Sequence, residues 1–219
     1  MVGLTRLLTW KRLTVLGCVS LLLIVYLSLP STRDRRWYYR RAPCSFPDKQ
    51  VHDGIIAMAK AHTLLKKLNI VHFLCYGTLW GTLRSNKMLS WDPEPDICVT
   101  NEGISAVDEA YLYKLFQFEG LILSYSSQEG MYTVTYGAAT VTLTVFEESE
   151  DGESYQRIGL RSRVLPPDMK EKFPKRLLAD PLPNLECFGL ILPVPHEDIE
   201  IQKYLYPDDW WIEVRPPGC

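Results

Sequence analysis

Apolar and polar positions divide the chain into a short series of elements. From Val51 to Leu68 the apolar residues Ile55, Met58, Ala59, Leu65 and Leu68 recur at helical spacing, which predicts an amphipathic helix laid against a sheet. The run IVHFLCY that follows, residues 70–76, is apolar on successive positions and reads as a strand buried on both faces. Gly77-Thr78 then introduces a turn and a short helical segment ending near Arg84, a polar loop carries Lys87, and PDICV, residues 95–99, forms a second core strand. A helix is expected over Ile104–Phe118, closed by Gly120. Strands are expected over Leu121–Tyr125, Met131–Tyr136 and Ala138–Phe146, the last rich in β-branched residues. The acidic run EESEDGES, Glu147–Ser154, predicts an exposed, mobile loop. Prolines between Leu165 and Leu185 break the chain into short pieces, ahead of a strand at Phe188–Val194 and a final helix at His196–Tyr206.

Near the start a different pattern holds. Residues 13–30, LTVLGCVSLLLIVYLSLP, carry no charge and follow Arg6, Lys11 and Arg12, which predicts an uncleaved signal-anchor helix. The chain then reads as a tail (1–12), an anchor (13–30), a juxtamembrane stem (31–50) and one domain (51–219). The stem's RDRRWYYRR suits a headgroup interface, where aromatic rings and long basic side chains are accommodated. Counted alone, the five arginines after the span oppose a cytoplasmic N-terminus.

With 219 residues and a formal charge of −2, the chain has room for one domain beyond the anchor and lacks the basic excess of a nucleic-acid binder. The four histidines are scattered and no zinc-type cysteine spacing occurs, so the histidines read as surface or hydrogen-bonded residues. There is no Asn-x-Ser/Thr sequon. Outside the span lie Cys44, Cys75, Cys98, Cys187 and Cys219, an odd number compatible with one or two disulfides. Cys75–Cys98 is one conceivable pair because both fall on adjacent expected strands.

The chemistry concentrates in Asp92, Glu94 and Asp96. On an extended segment Glu94 and Asp96 share a face, and two carboxylates so placed suit a hard divalent cation such as Mg2+ or Mn2+. Backbone N–H groups at Gly77 and Thr78 are candidates to receive a phosphate at a helix start, with Arg84 and Lys87 adding positive charge.

The stretch YGTLWGTLRSNKMLSWDPEPDICV resembles the signature of the LicD/fukutin family. Tyr76, Gly77, Thr78, Leu79, Gly81, Arg84, Trp91, Asp92, Asp96 and Ile97 carry the likeness, and Glu94 stands where the family has the first acid of an Asp-x-Asp pair. The resemblance implies an α+β, nucleotidyltransferase-like mixed sheet with flanking helices behind a transmembrane helix. It also implies transfer of a phosphorylated alcohol or polyol from a CDP-type donor to a glycan. Glu94 and Asp96 would then hold the metal, Asp92 would complete the catalytic set, and Gly77, Thr78, Arg84 and Lys87 would bind the donor. A lumenal domain in a Golgi or ER membrane is implied as well, with a Golgi transferase as a further possible partner. The chain departs from the family at Thr144, where an acid on a later central strand is expected; Glu147 and Glu148 are the nearest substitutes, and Pro93, Pro95 and Pro207 are further departures. The alternative is a noncatalytic LicD-like protein that binds a glycan, a nucleotide or a related transferase.

Overall fold

The computed structural model describes residues 10–28, 43–166, 170–213 and 215–219. The basic-aromatic segment at 33–41 and the last two positions of the expected anchor lie outside the described residues. Helix α1, Trp10–Ser28, leaves Leu13, Leu16, Val19, Leu22 and Ile24 exposed. Among the described residues no helix is long and apolar enough to cross a membrane.

The domain opens with α2, Asp48–Lys67, a helix as expected, which buries Ala57, Met58, Ala61, Leu64 and Leu65; of the residues that predicted it, Met58 and Leu65 are buried while Ile55, Ala59 and Leu68 are half-buried. Strand β1, His72–Leu74, leads into α3, Tyr76–Ser85, and then β2, Asp96–Thr100. The helix expected over Ile104–Phe118 is instead two: α4, Asn101–Ser105, and α5, Glu109–Phe118. Asp108 causes the break, because its side chain accepts the Tyr111 N–H at 2.8 Å and starts a new helix. Strands β3 (Ile122–Ser126), β4 (Met131–Tyr136) and β5 (Ala139–Glu148) follow, then β6 (Ser154–Arg157), α6 (Leu160–Arg163) and β7 (Lys172–Pro174). A 3-10 turn at Lys175–Leu178, the hairpin β8 (Asn184–Cys187) and β9 (Leu190–Pro193), and α7 (Glu200–Leu205) complete the described elements.

The main sheet has the order β1-β2-β5-β4-β3, with β6 and β7 continuing beside the end of β5. It is mixed: β2 and β5 run parallel and the other pairs antiparallel. Val134, Val141, Leu143 and Leu123 alternate onto one face, covered where α2 packs on β4 and β5 and α5 on β3. The other face is covered only in part. Phe73, Phe146 and Phe173 meet there, with ring centroids 6.1 Å apart for Phe73–Phe173 and 5.0 Å for Phe146–Phe173, beneath a layer burying Leu177, Cys187, Leu192, Val194 and Ile201.

The acidic run is no loose loop. Strand β5 continues through Glu148, and the Ser149 hydroxyl bonds Asp151 at 2.6 Å and the Ser154 carbonyl at 2.8 Å, closing a tight turn whose two serines are buried. Disulfides join Cys44 to Cys219 and Cys75 to Cys98, leaving Cys18 and Cys187 free. Two histidines pair: His72 donates from Nδ1 to the Ile70 carbonyl at 2.7 Å and receives the His62 Nδ1–H at Nε2, 2.8 Å away. Burial holds the His72 pKa down to about 4.

Candidate metal and phosphate site

The start of α3 and the approach to β2 meet at the border between the covered and open halves of the second sheet face. Cys75 caps α3 with no side-chain hydrogen bond. The Asp96 carboxylate instead receives the backbone N–H groups of Gly77 and Thr78, so two of the unpaired donors at the helix start are met by an acid from the neighbouring strand. The Thr78 hydroxyl returns the contact, accepting the Asp96 backbone N–H at 2.7 Å. Together these bonds fix the turn to the strand.

Gly77 leaves room for the acids. A Cβ at that position would lie 2.7 Å from Asp92 Oδ2 and 3.6 Å from Asp96 Oδ2, so both carboxylates converge on the space that a side chain would fill. The loop carrying Asp92 is seated from behind: a Cβ on Gly54 of α2 would meet the Pro93 carbonyl at 3.3 Å and the Pro95 ring at 3.4 Å. The two prolines thus pack the loop onto α2.

Three acids in so small a volume repel one another. Burial, then the charge of Glu94, pushes the Asp92 carboxyl up to about 7. Burial, then the charges of Asp92 and Glu94, raises Asp96 well above the ordinary carboxylate range, against the pull of its two N–H donors. Glu94, more exposed, is also raised by burial. Among the described residues no ion pair reaches any of the three; the basic groups are engaged elsewhere or exposed. Half-buried carboxylates without a counter-charge are costly, and an oxygen-only donor set suits a hard divalent cation. Among the described residues no group of three or more His, Cys, Asp and Glu comes together as a metal cage. Two carboxylates at this spot could hold such an ion only with further oxygens from substrate or water.

The pair that converges is Asp92 with Asp96. Period-two geometry does not govern Glu94, because β2 begins only at Asp96 and Glu94 sits in the loop before it. Gly77 and Thr78 lie at the site, with their N–H groups turned to Asp96. Arg84 and Lys87 make no described contact with the acids. Arg84 is seven residues along α3 from Gly77, roughly 10 Å by the helical rise, and its guanidinium lies over the Trp80 ring, 4.8 Å from the centroid. Lys87 is exposed.

The missing acid of β5 is resolved by register. Asp96 pairs with Thr142, whereas Thr144 pairs with Cys98 and is buried. Threonine occupies both positions. Glu147 and Glu148 do not substitute, since they lie past the Phe146–Thr100 pair at the opposite end of β2. Glu147 faces Gln156, and Glu148 pairs with Lys175 at 2.8 Å.

Several residues that support the site have no local sequence signal. Tyr76, directly before Gly77, has φ of +47°, an uncommon conformation for a bulky residue. Its hydroxyl donates to Glu171 at 2.6 Å, Glu171 pairs with Arg157 at 3.0 Å, and its carbonyl accepts Gln202 Nε2–H at 2.9 Å. The clamp draws on β6, the approach to β7, and α7, all far away along the chain. The aromatic C-terminal segment also packs against α3: Trp80 Nε1–H donates to the Trp210 carbonyl at 3.1 Å.

Residues 69–197 match the model of the LicD/FKTN/FKRP nucleotidyltransferase domain. The chain belongs to this family. It is therefore a phosphotransferase-type family member, and the matched span holds all of the acids, the Gly77 turn and the mixed sheet. A search of curated proteins gave no match.

Proposed function

We propose that this LicD-family chain transfers a phosphorylated alcohol or polyol from a nucleotide-activated, CDP-type donor to a glycan. The observation that carries this reading is the convergence of Asp92 and Asp96 on Gly77, with Glu94 beside them and, among the described residues, no basic partner. A divalent cation at these carboxylates would neutralise the donor phosphates and stabilise the departing nucleotide phosphate. Asp92 and Asp96 bind it, Glu94 adds charge at the mouth, and Gly77 leaves room for both. The N–H groups of Gly77 and Thr78 hold Asp96 in line. The Arg157–Glu171–Tyr76 chain holds the start of α3 against the sheet.

A noncatalytic LicD-like binder is the second reading, favoured by one observation: the two β5 positions beside β2, Thr142 and Thr144, both lack charge. Binding tests the donor site, and turnover onto a glycan acceptor then separates a transferase from a noncatalytic nucleotide binder. Calorimetry of the full chain against CDP- and UDP-linked compounds, with and without Mn2+, should show cation-dependent binding that Asp96→Asn abolishes. A folded chain that binds no nucleotide compound under either condition would defeat the transferase reading.

We further propose that residues 13–30 anchor the chain in a Golgi or ER membrane with the domain in the lumen, where a transferase partner would be met. Support comes from the exposed apolar side chains of α1 and from two disulfides, which persist in oxidising compartments. Protease protection on sealed microsomes tests the orientation; digestion of a C-terminal tag from the cytosolic side would overturn it.

A further inference from the structure

Beside the acids, the uncovered half of the sheet face has a distinctive composition. Asp96, Thr142, Thr133 and Ser124 stand in one transverse row across β2, β5, β4 and β3, each in register with the next. Thr140 and Thr135 pair in the adjacent row. Ser124 is exposed and the four threonines are half-buried. Among the described residues none of these five hydroxyls takes part in a side-chain hydrogen bond, whereas Thr78, Thr82, Ser149 and Ser154 do; the buried Thr100 and Thr144 do not.

We propose that this face seats the acceptor: a neutral oligosaccharide lying across β5, β4 and β3 with its reactive hydroxyl toward Asp96. The proposal rests on the transferase reading of the acid site and adds where the acceptor lies and what chemistry it has. Each Thr or Ser hydroxyl both donates and accepts, as do the hydroxyls of a sugar. No charged side chain lies between Asp96 and Ser124 in the row, so an anionic ligand would find no cation there. A nucleobase would find no ring to stack on, because Tyr125, Tyr132 and Tyr136 alternate onto the opposite face with Leu123 and Val134. The three interstrand steps from β2 to β3 span roughly 14 Å, enough for a chain of several sugars. A merely solvated edge would be expected to carry Lys or other charges against strand pairing, and β3, with the sequence ILSYS, carries none.

The experiment uses the full chain in lipid nanodiscs, avoiding sugar-headed detergents, and titrates it with neutral pentasaccharides of mannose, galactose and xylose in the absence of nucleotide. At least one is expected to bind at millimolar concentration or below. Thr133→Val and Thr135→Val together keep side-chain shape while removing two hydroxyls, and should weaken that binding by about tenfold, the equivalent of roughly one hydrogen bond. Thr133→Lys should abolish it, with unchanged circular dichroism confirming the fold. No binding of any pentasaccharide overturns the proposal, as does binding that both threonine variants leave intact. Weakened binding of cytidine alone would also overturn it, by assigning the face to the nucleoside. Failure of the transferase reading shows separately, as absence of cation-dependent nucleotide binding by the wild-type chain.

Discussion

Cys75 and Cys98 are bonded to each other across a sequence separation of 23, and the segment between them contains Gly77, Thr78, Asp92, Glu94 and Asp96. The candidate site is thus a covalently closed loop, with one cysteine at the cap of α3 and the other in the middle of β2. Closing a loop of this length contributes roughly 3 kcal/mol through the unfolded chain. Replacing both cysteines by serine is expected to lower the melting temperature and the Mn2+ affinity together. Thermal denaturation followed by Mn2+ titration would check both. An unchanged affinity would mean that the turn and strand hold their geometry without the bridge.

Gly77→Ala tests the close approach directly. The new methyl would meet Asp92 Oδ2 at 2.7 Å and must push that carboxylate out of the site. Because a side-chain tip can move, the expected loss of stability is about 1 kcal/mol, within the ordinary range for single substitutions. Cation binding, however, should fall at least about tenfold, as when one ligand is displaced. Calorimetry with Mn2+ would measure the second effect and chemical denaturation the first.

The acids also set the response to pH. The Asp92 carboxyl sits at about 7 in the fold, and Asp96 is likewise raised, against about 3.9 for an unfolded Asp. Between those values the folded chain binds more protons than the unfolded chain, so stability falls as pH rises through the window. Without divalent cations, the melting temperature should be higher at pH 5 than at pH 8. Asp92→Asn combined with Asp96→Asn should flatten that dependence. Saturating Mn2+ should raise stability most at pH 8, because the cation then replaces the protons. A melting temperature that rises with pH in the apo chain would contradict the assigned burial of these groups.

Register makes a sharper distinction. Thr142→Asp places a carboxylate beside Asp96, at a half-buried position on the same face, and is expected to raise Mn2+ affinity by about tenfold, the effect of one added charged ligand. Thr144→Asp places the charge opposite Cys98 at a fully buried position, and should destabilise the domain without improving cation binding. Parallel measurement of Mn2+ affinity and melting temperature in the two variants would decide between the positions.

The sequence carried the acid loop, the glycine turn and the strand after it because these lie within one contiguous segment whose chemistry is local. The strand over Ala138–Phe146 was legible from its β-branched residues, since strand propensity is local too. A motif has no axial coordinate: only the helical rise of α3 shows that Arg84 stands roughly 10 Å from Gly77. Thr144 stood out by its place before an aliphatic-aromatic pair, but the partner of Asp96 is fixed by strand register, which one sequence does not encode visibly. The roles of Glu171, Arg157 and Gln202 were hidden for a related reason, as each reaches Tyr76 from a distant element. The run EESEDGES looked solvated by composition, yet the spacing of Ser149, Asp151 and Ser154 lets three side chains close a turn.

The bridge between Cys44 and Cys219 brings its two Cα atoms to 5.2 Å, although 175 positions separate them along the chain. The polypeptide from 44 onward is therefore close to a ring, and a peptide linker of a few residues could replace the disulfide in closing it. A circularly permuted chain, joined there and reopened at Gly152 in the exposed tip after β5, would keep the site loop intact while moving the attachment point for any preceding anchor. Donor and acceptor fluorophores at the original ends would report on integrity of the ring, losing transfer efficiency on reduction while the Cys75–Cys98 loop, buried at both sulfurs, stays closed longer.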